Sequence, residues 1–358
     1  MKIPSPMRRV LPLMLLILLI AFFTVPSKRR SLTGLLPLLD AAAQDRPRTT
    51  TKQTQSPQNV EVIKTDVDLV TVDALVLQKD TARIVGDLTR DDFLVKEDGK
   101  LQEISHFSQG TLPLSVLLLI DRGGCMDPYN NEVRHAAIEA LQRLKPTDEV
   151  AVMTYHNDAE LLAPFTKDRW PIKFALDHIP PHDEMANHCL NKAFYEAATY
   201  MEQAGNPAGR RVIIFITGVT RNFDCDGPSG KRAKQAVYES GSVVCGVIPT
   251  TPEQQMENGM YRWVTRMGGV MRVSTINMKE LAEDTGGEVL EDKPEQLDHT
   301  FTTLMEHLRS RFSLAFVSTN KARDGSLRKL KVELSSNAQK SHGKLVVKAR
   351  KSYVAPRG

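Results

Sequence analysis

From residue 59 onward the apolar positions fall into runs of two kinds. "VEVIKTDVDLVTVDALVL" (60–77) alternates apolar with polar residues, the period of half-buried strands. "FLVK" and "LQEISHF" follow, with Glu97-Asp98-Gly99 between them, and Asp-Gly there predicts a hairpin turn. Residues 59–112 therefore read as a small β module.

The second kind begins at Pro113. "PLSVLLLI" (113–120) is continuously apolar, as a parallel strand covered on both faces must be. Val133, Ala137, Leu141 and Leu144 then share one helical face. "DEVAVMTYH" and "AELLAPF" read as strands. Leu190, Ala193, Phe194, Ala197 and Met201 mark a helix, "RRVIIFITG" a central strand, Ala233, Ala236 and Val237 a helix, and "SVVCGVIP" a strand. Asn277 to Glu280 can form a capping box that opens "MKELAEDTGG", with the glycines closing the helix. "EVL" is a last strand, and Leu297, Phe301, Leu304, Met305 and Leu308 make a final amphipathic helix.

Strand–helix alternation of this kind predicts a doubly wound, Rossmann-like, mostly parallel α/β sheet over residues 113–311. Such sheets bind ligands at the carboxyl ends of their strands, and Asp121 stands at one of those ends. Residues 312–358 return to β pattern, with Asp324-Gly325 at a turn.

The N-terminus changes the picture of location. "VLPLMLLILLIAFFTV" (Val10–Val25) carries no charge and follows Arg8 and Arg9. At 16 residues it lies between a signal-peptide core of roughly 7–15 and a membrane span of ~20. Residues 1–27 are thus a cleaved signal peptide or an uncleaved membrane anchor. Either way they imply export to the periplasm or cell envelope. Residues 28–58 read as a disordered linker, since "QDRPRTTTKQTQSPQ" (44–58) has prolines but no other apolar residue.

Charge excludes one class of partner. The 358-residue chain carries +4, but Lys2, Arg8, Arg9, Lys28, Arg29 and Arg30 contribute six positive charges, which leaves −2 over the remainder. The basic balance belongs to the N-terminus, so nothing points to nucleic acid.

Taken together, "VLLLIDRGGCM", a strand ending "FITG", "VGDLTRDDFLVKEDGKLQEISHF" ahead of them, "LAEDTGGEVL" near the end and "LAFVSTNKARDGSLRKLKVEL" behind resemble a von Willebrand factor type A domain. The flanks are similar to the VWFA-related domain family described from Acidobacteria. The resemblance implies a bacterial source, export, and a ligand-binding module with no established catalytic activity. Many type A domains hold Mg²⁺ through Asp-x-Ser-x-Ser on one loop, a Thr on a second and an Asp after the central strand.

Against that pattern only Asp121 is kept. Gly123 and Cys125 stand in place of the serines, His188 falls near the Thr, and Gly218 stands in place of the second acid. Glycines supply no oxygen side chains to an ion that requires six oxygens. No Mg²⁺ cofactor is therefore expected, with Asp224 and Asp226 as the possible substitute ligands. The alternative role for Asp121 is to cap amides of its own loop.

Cys125, Cys189 and Cys225 all fall on this rim, beside His188, whereas Cys245 sits inside a strand. A disulfide, with Cys189–Cys225 the first pairing, ranks ahead of chance proximity. A Zn²⁺ site or thiol chemistry using Cys125, Cys189, Cys225 and His188 ranks third, because no C-x-x-C is present. No nucleophile elbow, phosphate loop or His-Glu-x-x-His occurs, so the expectation is a non-enzymatic protein-binding module. Met256, Met260, Met267, Met271, Tyr261 and Trp263 form a second candidate contact surface, for a protein partner of unknown identity.

Overall fold

A computed structural model describes residues 69–110, 112–123, 126, 129–181, 188–206, 208–218, 225–251 and 276–358. All of these belong to one unit, Lys64–Gly358. The N-terminal apolar run, the linker, Cys125, Asp224 and the methionine-rich segment lie outside the described residues.

β5 (Leu114–Asp121) is buried along its whole length, because helices cover both of its faces. Its side chains divide by parity. Leu114, Val116, Leu118 and Ile120 enter one apolar cluster with α1 (Asn130–Gln142), α2 (Arg169–Asp177) and α6 (Leu297–Arg309). Leu117 and Leu119 enter the other, with α3 (Leu190–Tyr200), α4 (Gly230–Ser240) and α5 (Met278–Asp284).

β5 pairs in parallel with β6 (Glu149–Tyr155) on one side and β8 (Arg210–Ile216) on the other. Beyond β8 come β9 (Val243–Pro249) and β10 (Val289–Asp292), also parallel. The antiparallel β7 (Ala159–Thr166) borders β6, giving the order β10-β9-β8-β5-β6-β7. The chain first winds outward from β5 through β6 and β7, then returns to β8 and winds the other way. The carboxyl ends of β5 and β8 therefore flank a topological switch point, where a crevice opens.

The strands before and after this layer pair with each other. One sheet has the order β13-β1-β11-β4, from β1 (Leu69–Gln78), β4 (Ile104–Gln109), β11 (Phe312–Val317) and β13 (Leu345–Ala349). The other has the order β14-β12-β2-β3, from β2 (Phe93–Glu97), β3 (Lys100–Gln102), β12 (Leu327–Leu334) and β14 (Ser352–Val354). Val72, Val76, Phe93, Val95, Phe312, Leu314 and Phe316 fill the space between them, with the Phe93 and Phe312 rings 5.1 Å apart. At the β2–β3 hairpin, Asp98 and Gly99 adopt φ of 46° and 84°, the left-handed pair that this tight turn requires.

Buried ion pairs join the sandwich to the α/β layer. Arg210, at the start of β8, donates to Asp73 of β1 at 2.7 and 3.0 Å, to Ser313 Oγ at 3.2 Å and to the Leu308 carbonyl at 2.5 Å.

Two helices went unread in the sequence, α2 and α7 (Ser336–His342). Both are short, at 9 and 7 residues, and each depends on a cap: Asp168 accepts from the Trp170 amide, and Ser335 from the Ala338 amide. Among the described residues, no helix is long and apolar enough to cross a membrane.

Candidate functional site

The buried run of β5 ends by delivering Asp121, 1% exposed, to the crevice beside β8. A bare carboxylate there would be costly, and protein donors surround this one. The Gly123 amide donates to Oδ1 at 2.8 Å, and Thr217 Oγ1, one residue past β8, donates to Oδ2 at 2.6 Å. His188 Nδ1 lies 3.0 Å from Oδ1 and 2.9 Å from Oδ2. An imidazole protonated at Nδ1 donates to this carboxylate.

Three features fix His188 there. The next residue, Cys189, is the N-cap of α3, and its amide donates to the His156 carbonyl at 2.9 Å. Cys189 is joined by a disulfide to Cys225 on the loop after β8, with Cα atoms 5.7 Å apart. The imidazole also lies directly on Gly123. A Cβ at position 123 would be 2.0 Å from His188 Cε1 and 2.7 Å from Nδ1, closer than real atoms approach. The glycine and the histidine are thus one steric choice, and a serine at 123 is incompatible with the ring where it stands.

The remaining rim residues are more dispersed. Gly218 is buried immediately after Thr217. Asp226 is exposed, and its charge acts on Lys192. Tied in a disulfide, Cys189 and Cys225 have no thiolate to offer a metal. Among the described residues, no group of three or more His, Cys, Asp or Glu side chains is arranged to hold a metal ion. Cys245 is a fully buried free thiol, which burial pushes up to about 11.

A cleft of about 110 Å³ opens beside Asp121, lined by polar Arg122, Asn130 and Arg134 and by apolar Leu176, Ile179 and Pro180. Arg122 pairs with Glu160 at 3.1 Å at its edge. The α2 helix that supplies Leu176 also presents an aromatic ladder to solvent. Trp170 and Phe174 are 69% and 50% exposed, their rings 5.4 Å apart, and the His178 ring stacks 4.1 Å from Phe174.

Sequence reasoning missed Thr217 and this ladder. Thr217 carries no local signal, since it meets Asp121 only across 96 positions of sequence. The spacing of Trp170, Phe174 and His178 at i, i+4 and i+8 was the available signal for the ladder.

Residues 116–220 match the family model described as von Willebrand factor type A domain. The sequence matches no curated protein. Among solved structures, a von Willebrand factor type A protein from Catenulispora acidiphila is similar at 10% identity, over 81% of this chain and 74% of that one, with a TM-score of 0.43. The von Willebrand factor domain of a type V pilus tip protein from Porphyromonas gingivalis is similar at 11% identity, over 55% and 95%, with a TM-score of 0.41. Proximal thread matrix protein 1 of the mussel byssus is similar at 11% identity over 55% of this chain, with a TM-score of 0.43. The match spans about half, 48%, of that protein's length.

Proposed function

We propose that this chain, which carries a von Willebrand factor type A domain, is an exported, non-enzymatic protein-binding module that engages its partner without a bridging metal ion. Contact is made by the loops at the carboxyl end of the sheet, around Asp121, Gly123, His188 and Gly218. The observation that carries this reading is the placement of His188. Its ring approaches both oxygens of Asp121 and lies on Gly123, so an internal group takes the place that a cation would need.

Two further features support the reading. The Cys189–Cys225 disulfide ties together the two loops that flank Asp121, a covalent tie where an ion would otherwise serve. The Trp170–Phe174 ladder, on the helix that lines the cleft, offers large rigid apolar surface of the kind enriched at protein interfaces.

Site-specific photocrosslinking tests the proposal. A photoreactive side chain is placed at Arg122, Asp177 or Asp226 on the rim, or at Lys331 on the sandwich, in the full chain within its native envelope. Rim positions should yield a defined adduct in EDTA as readily as in Mg²⁺, and Lys331 should yield none. Adducts that vanish in EDTA, or that form only at Lys331, contradict it.

A further inference from the structure

The junction between the α/β layer and the β sandwich holds a cation that no side chain or carbonyl among the described residues hydrogen-bonds. Arg311, between α6 and β11, is 0% exposed. None of its three guanidinium nitrogens has a hydrogen-bond partner among the described residues. An arginine keeps its proton in a protein, so the charge cannot be shed. Buried donors left without a hydrogen bond carry their full desolvation cost.

Asp73 and Glu288 act on Arg311 as opposite charges, but their hydrogen bonds are taken by other groups. Asp73 accepts two bonds from Arg210 and one from Ser313 Oγ at 2.6 Å. Glu288 accepts from His307 Nδ1 at 2.7 Å and from Lys348 Nζ at 2.6 Å. The Cys245 thiol also neighbours Arg311, but burial holds it up at about 11, and it stays neutral near pH 7. Arg210 acts on Arg311 as a like charge, and Arg350 faces the same Asp73. Arg210, Arg311, Arg350 and Lys348 thus share two carboxylates, and the junction is short of negative charge.

We propose that Arg311 seats a small monovalent anion of the halide class, enclosed in this junction. A halide suits the position on three counts. It accepts from a guanidinium fork without bringing donors that would need partners of their own. It supplies charge, which water does not. It is also small enough for a site whose cation is fully enclosed, which a larger organic anion is not. This site is separate from the rim and does not depend on the proposed binding function.

Two measurements on the full chain test the site. Crystals soaked in bromide should show an anomalous peak beside the Arg311 guanidinium. In solution, replacing gluconate with chloride at constant ionic strength should raise the melting temperature saturably, by about 3 °C or more. Arg311→Gln should abolish that chloride dependence. If this variant does not fold, the two wild-type measurements decide alone. No bromide peak at Arg311, a peak accompanied by indifference to chloride (binding at crystal concentration only), or a chloride response that survives in Arg311→Gln would overturn the proposal.

Discussion

The imidazole of His188 occupies the space into which any side chain at Gly123 would project, with Cε1 2.0 Å from the ideal Cβ position. Gly123→Ser should therefore destabilise the protein by about 1–3 kcal/mol, the usual cost of overpacking. In His188→Ala the space is free, so the same serine should cost much less. A double-mutant cycle in urea should give a coupling of at least ~1 kcal/mol. Additive effects would mean that the two residues are not in conflict.

Reduction should weaken the rim. The Cys189–Cys225 bridge joins positions 36 residues apart, and a closed loop of that size is worth roughly 3–4 kcal/mol, less any native strain. Dithiothreitol should lower the melting temperature of the wild type and leave that of Cys189→Ala/Cys225→Ala unchanged. Thiol counting on unreduced, denatured protein should exclude these two cysteines. Finding both as free thiols would remove the covalent tie from the account.

Acid should loosen the joint between the two layers. Burial by itself would raise the Asp73 carboxyl, but Arg210, with Ser313 and Arg311, more than offsets it and holds it at about 2. Glu288 behaves in the same way: burial raises it, while His307 and Lys348 bring it to about 2. Both values lie below the ordinary 3.8 and 4.5. The stabilisation is therefore complete above about pH 4.5 and is lost as pH falls towards 2, roughly 2 kcal/mol for Asp73 and roughly 3 kcal/mol for Glu288. Unfolding free energy measured from pH 5 to pH 2.5 should fall steeply, and less steeply in Glu288→Gln. Equal slopes would show that Glu288 does not contribute.

Much of the α/β layer was legible because its signals are local and periodic. The unbroken apolar run of β5 announces a strand covered on both faces, and Asn277 with Glu280 marks the start of α5. Asp121 and its loop neighbour Gly123 were likewise visible, since strand and breaker adjoin in sequence. What stayed hidden depends on long-range geometry. Nothing in the sequence places the His188 ring on Gly123, 65 positions away, or aims Thr217 at Asp121. The sandwich was half-legible: the alternation gave its strands, but not that Asp73 of β1 would sit opposite Ser313 of β11. The short helix α2 was missed because its exposed Trp170 and Phe174 break the amphipathic pattern.

The central claim is that Asp121 is engaged by the protein's own groups, with His188 where a cation would stand. Isothermal titration of the full chain with Mg²⁺ and Mn²⁺ tests this most directly, with melting temperature followed in parallel. The account predicts no saturable heat and no rise in melting temperature at millimolar concentrations of either ion. A ligand bound at a hundredfold excess over its Kd would stabilise the fold by about 2.7 kcal/mol, well within detection. Stoichiometric binding of either ion, abolished by Asp121→Asn, would contradict it.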